Sequence, residues 1–169
     1  MIAIGAVMAT VLTLAPMPMV SASNSVEQTV SIAYVNPHFP TVNVRQADAL
    51  TGDLNAERAR YGLQPLQRDA SLDRIAYAKA VDMAARGYFG HTDPDGITFY
   101  DRMREYKWPT DYVAENIAFD RSEPAANTAF NTSPPHHQNI VDPNERKVGI
   151  AVVTVGDGET FYVEDFSGQ

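Results

Sequence analysis

Two periods of hydrophobicity divide this chain. Leu72, Ile75, Ala76, Ala80, Met83 and Ala84 recur at spacings of three and four, which puts them on one stripe of a helix that has to be covered by something else. Asp69 or Ser71 can cap that helix and Gly87 can end it. Further on the period falls to two. Lys147–Val155 and Thr160–Phe166 are β-branched and aromatic runs joined by Gly-Asp-Gly-Glu, the pattern of a hairpin. Helices early and strands late predict an α+β domain.

The intervening elements follow from local signals. A helix is predicted over Gln46–Tyr61, with Leu50, Leu54 and Tyr61 on one stripe and Gly62 as its stop; Leu63–Asp69 is a short connection. His-Thr-Asp-Pro-Asp-Gly (91–96) reads as a turn, after which Thr98 caps about two helical turns ending near Tyr106. Tyr112–Phe119 alternates as a strand, and Ser122, Glu123 and Pro124 start a short helix reaching about Thr132.

Met1–Val20 carries no charged side chain, is rich in Ile, Ala, Val, Leu and Met, and runs into the exit Val20-Ser21-Ala22. This is the apolar region and small-residue exit of a signal peptide, so residues 1–22 are expected to be removed after Ala22; an uncleaved anchor is the alternative. Residues 23–45 lack helical period and read as an extended arm, with one short strand at Val30–Val35, leaving 46–169 as the folded domain. The expected location is secreted, extracellular or in the cell envelope, with no membrane span after cleavage. The 169 residues contain no cysteine, so the core alone must stabilise the fold. A net charge of −8, from 13 basic and 21 acidic residues, with no basic cluster, argues against nucleic acid as a partner.

Three residues can carry chemistry. His91 and His136 sit beside turn-forming residues, where an imidazole can offer a neutral nitrogen or exchange a proton. Glu115 lies between apolar neighbours on a strand, where a carboxylate needs partners. Asn55, Glu57 and Arg58 suit structural hydrogen bonds. Asp93 and Asp95 fall far short of a calcium loop.

The strings Leu54–Leu66, Ala85–Gly96, Asp101–Glu105, Ala114–Ala118, Asn131–Ile140, Val148–Val152 and Phe161–Phe166, in that order, resemble the bacterial branch of the CAP superfamily, relatives of cysteine-rich secretory and plant pathogenesis-related proteins. The resemblance covers Leu50 to Phe166. It implies a three-layer α-β-α sandwich with a central antiparallel sheet and a cleft formed by His91, Glu115, Asn116, Ser133 and His136. His91, Glu115 and His136 are the implied ligands of zinc or another divalent cation. Ser133 stands where a second glutamate would fall, which implies weak binding. His137 competes with His136, but alignment favours His136. The implied function is a binding module for a lipid or cell-wall ligand; a hydrolase of peptide or wall material is the alternative.

Overall fold

The computed structural model describes residues 41–156 and 158–168. The expected signal peptide, the strand at 30–35 and most of the arm lie outside these residues. In chain order the elements are β1 (Thr41–Val42), α1 (Val44–Arg60), β2 (Gln67–Arg68), α2 (Ala70–Arg86), α3 (Phe99–Glu105), β3 (Val113–Asp120), α4 (Glu123–Thr132), α5 (Pro134–Ile140), β4 (Glu145–Val155) and β5 (Glu159–Gly168).

Local chemistry explains the boundaries. Asn43 Oδ1 accepts from the Gln46 amide at 3.1 Å, which lets α1 begin at Val44, two residues before Gln46. Asp69 caps α2, and Gly87 ends it in the left-handed region at φ 66°. Thr98 and Asp101 form a reciprocal capping box at the start of α3. α5 follows α4 after the single residue Ser133, and its first turn is Pro134-Pro135, where missing amide hydrogens cost nothing.

The sheet runs β1-β4-β5-β3 with antiparallel pairing throughout this path, and short β2 lies parallel on β4. Burial on both faces makes the central strands nearly continuous apolar runs, and alternation sends successive residues to opposite layers. Val148, Ile150, Val152, Tyr162 and Phe166 pack with Leu50 and Leu54 of α1, Phe130 of α4 and Ile140 of α5. Ala151, Val153, Ile117, Phe161 and Val163 pack instead with Ala76, Ala80 and Met83 of α2. A third cluster joins Leu72 and Ile75 to Phe99 and Met103 of α3 and Val113 of β3. The three-layer α-β-α sandwich is therefore the observed architecture. At Gly149 any Cβ would overlap the Leu72 backbone and the Asp73 nitrogen, so α2 starts in direct contact with β4.

Candidate functional site

β3 ends the sheet and, among the described residues, pairs with β5 alone. Beside its first residues, Val113, Ala114 and Glu115, opens a cleft of about 510 Å³ that also exposes His91, Tyr100, Tyr112 and Asn139. Because β3 is flanked by a helical layer on each face, its edge is where groups from both layers can meet.

From the α2/α3 side comes His91. Its Nδ1 lies 2.9 Å from Glu115 Oε1, while Glu115 Oε2 accepts from the Arg102 guanidinium. A carboxylate can only accept, so Nδ1 carries the hydrogen and Nε2 is the ring nitrogen that Glu115 leaves uncommitted. The Glu115 side chain is 1% exposed and that of His91 52%: a buried carboxylate aims a solvent-facing imidazole. Lys79 of α2, itself buried, donates to the His91 carbonyl (3.2 Å) and to the Tyr88 hydroxyl (3.1 Å), holding the turn in place. Burial lowers the Lys79 ammonium pKa, and the Glu115 charge opposes that shift. Asp165 faces Glu115 across the β3–β5 ladder. Among the described residues neither Asp165 oxygen has a partner, and burial, then the Glu115 charge, push its carboxyl well above the usual range, against Arg102 and Lys79.

From the α5 side comes His136. Asn116, pointing to the opposite face of β3 from Glu115, donates through Nδ2 to the His136 carbonyl (3.1 Å) and to Glu164 Oε2 (3.0 Å). Asn139 Nδ2 donates to Asn116 Oδ1 at 2.9 Å, so α5 is tied to β3 at two points. The His136 ring stands edge-on to Phe130, and its buried Nδ1 has no hydrogen-bond partner among the described residues. Desolvation first, and the nearby His91 charge second, lower its pKa. His136 is therefore neutral at physiological pH. His137 turns elsewhere: Nε2 meets Glu57 Oε1 of α1 at 3.0 Å and the ring packs on Tyr61. Ser133 joins α4 to α5 and its side chain forms no cap hydrogen bond.

The geometry thus joins His91 directly to Glu115, brings His136 within electrostatic reach of His91, and uses Asn116 as a tether. Among the described residues no three His, Asp or Glu side chains are gathered as a metal ion would require. The cleft lining includes His91 and Glu115, while His136, Asn116 and Ser133 are not among its lining residues. Asn55 clamps Leu66 through both its amide groups, and Arg58 holds the carbonyls of Gln64, Ile140 and Asp142, structural roles in both cases. Asp93 and Asp95 pair with Arg86.

Sequence reasoning missed Lys79, Arg102, Glu145, Glu164 and Asp165. Two of them left a signal: Lys79 lies four residues from both Ile75 and Met83 on the apolar stripe, and Arg102 lies three from Phe99.

Residues 51–166 match the cysteine-rich secretory protein family, CAP. Among curated relatives, the protein YkwD of Bacillus subtilis is 34% identical over 116 residues, covering 68% of this chain and 44% of the relative. The membrane protein YlbC of the same species is 25% identical over 113 residues, covering 66% and 31%. The chain thus spans less than half the length of these two relatives. Among solved structures, an outer surface protein of Borrelia burgdorferi superposes with a TM-score of 0.73 at 19% identity, covering 78% of this chain and 98% of that one. An extracellular protein containing an SCP domain from Bacillus anthracis gives 0.66 at 25% identity, covering 75% and 41%. No helix among the described residues is long and apolar enough to cross a membrane.

Proposed function

The chain belongs to the cysteine-rich secretory protein (CAP) family, and from that premise we propose that it is an exported binding module whose cleft takes a divalent cation weakly together with a lipid or cell-wall ligand. Export is supported by the apolar start of the chain and by the extracellular and outer-surface neighbours.

The observation that carries the cation is the His91–Glu115 pair. A carboxylate that fixes the tautomer of a half-exposed imidazole is the arrangement that makes histidine a metal ligand. His136, neutral through burial, supplies a second nitrogen. Zinc suits imidazole donors, and two of them leave coordination positions for water or a ligand atom. When bound, such an ion would polarise an oxygen of the ligand.

Zinc calorimetry on the full chain tests this reading. At pH 7.5 a single weak site is expected. At pH 5.0 the affinity should fall by about tenfold or more, because protons compete for the imidazoles. His136→Ala should remove most of the heat. Equal affinity at both pH values, or full binding by His136→Ala, would reject the site.

A further inference from the structure

The cleft holds groups that the cation does not use. Asp142, from the turn between α5 and β4, Glu145, the first residue of β4, and Asp111 and Tyr112, just before β3, share its lining with Tyr100. Glu145 is the unusual member. It is 2% exposed, yet its Oε2 has no hydrogen-bond partner among the described residues. The adjacent guanidinium groups are occupied elsewhere. Arg58 donates to the carbonyls of Gln64, Ile140 and Asp142, and Arg146 to those of Pro143 and Glu145. Burial, reinforced by Asp142, pushes the Glu145 carboxyl up to about 8, so near neutral pH it carries a proton and can donate.

The remaining walls have a consistent chemistry. The Tyr112 hydroxyl donates to Asp142 Oδ2 at 2.7 Å and accepts from Asn144 Nδ2 at 3.2 Å, and its ring lies against Gly168, where a Cβ would collide with it. That ring is fixed. Tyr100 is 51% exposed and is backed by Phe99 at 5.7 Å between centroids. Among the described residues no Lys or Arg lines the cleft, so no fixed positive charge in its lining would attract an anionic ligand. Rigid aromatic faces suit the C–H faces of a sugar ring, and carboxylates accept from hydroxyls, which a sugar carries in abundance. A volume of about 510 Å³ is ample for a short saccharide.

We propose that the cleft binds a neutral oligosaccharide, with sugar rings against Tyr100 and Tyr112, hydroxyls on Asp111 and Asp142, and a ring or acetamido oxygen accepting a hydrogen bond from Glu145. This rests on the reading of the cleft as a ligand-binding site but not on the cation. An uncharged peptide is the competing class. It presents donors and acceptors in equal number, whereas the cleft offers mainly acceptors.

The test is calorimetry of the full chain at pH 7 in EDTA, with chitotetraose and, separately, tetra-alanine amide. Saturable binding of chitotetraose alone is expected. Tyr100→Ala, an exposed change that leaves the core intact, should weaken it by about fivefold or more, and Glu145→Leu by about tenfold, the equivalent of one lost hydrogen bond. Glu145→Gln, which keeps a donor, should restore most of the loss and controls for folding. No saturable heat with chitotetraose, preference for the peptide, or unchanged binding by both Tyr100→Ala and Glu145→Leu would overturn the proposal. Because EDTA is present, sugar binding with no zinc site would sink only the cation, and zinc binding with no sugar only this inference.

Discussion

Adjacent histidines on α5 have opposite environments, and that contrast separates structure from chemistry at this site. Each step along a helix rotates neighbours by about 100°, so His137 reaches Glu57 of α1 and Tyr61 just after it, while His136 sits under Phe130 with a nitrogen that has no partner among the described residues. His137→Ala should therefore cost stability, about 0.5–1.5 kcal/mol for the lost hydrogen bond, and leave zinc affinity unchanged. Chemical denaturation beside zinc calorimetry would check it, and a loss of zinc binding would mean that α5 presents the other ring. The residues that surround the candidate site were unequally legible from the sequence. His91 and Glu115 announced themselves as polar groups in a turn and in an apolar run. Glu145 did not, because Asp-Pro-Asn-Glu-Arg-Lys reads as a solvated turn, and only the folded chain reveals its burial beside Asp142 and Arg58. Glu164 and Asp165 were hidden for a different reason: two adjacent acids on a strand must point to opposite faces, and a strand buried on both sides leaves neither in water.

At the scale of elements, the contact between α2 and β4 sets the spacing of the upper layers. Gly149 allows the Leu72–Asp73 backbone to rest on the strand, and Asp73 Oδ1 accepts from the Ile150 amide at 2.8 Å. Gly149→Ala would drive a methyl group into helix backbone, which cannot rotate away as a side chain could. The expected loss is about 3 kcal/mol or more, read as a lower denaturation midpoint; a neutral effect would show that α2 can slide. The apolar stripe of α2 and the C-terminal hairpin were legible because each is a strong local period. α5 was not recognised as a helix, since Pro-Pro-His-His reads as a loop until Ser133 is seen to let α5 follow α4 directly. β2 was equally obscure, its two residues being strand only because β4 lies beside them.

For the molecule as a whole, the buried acids make stability depend on pH in an unusual direction. Glu164 is completely buried and burial pushes it up to about 8, with Asn116 donating to it. In the unfolded chain the same group titrates near 4.5. Between these values the native state holds a proton that the unfolded state has lost. Its contribution is thus complete below about 4.5 and declines as pH rises toward about 8, with a limiting slope of about 1.4 kcal/mol per pH unit. Glu164→Gln keeps the acceptor for Asn116 and cannot ionise. Its melting temperature should exceed that of the parent chain at pH 9 and match it near pH 4.5. A difference that is the same at both pH values would show that Glu164 does not titrate on unfolding.

The order of strands in the sheet also decides when the cleft can exist. β3 has one strand partner among the described residues, and that partner, β5, follows it by more than a helical layer and a long strand in sequence. A chain emerging from a ribosome or a translocation channel N-terminus first would deliver His91, Glu115 and His136 well before Glu159–Gly168. Until that last strand arrives, β3 has no ladder, Glu115 has no Asp165 opposite it, and Tyr112 has no Gly168 to rest on. The wall of the proposed ligand cleft is therefore completed only once β5, ten residues long, has paired with β3.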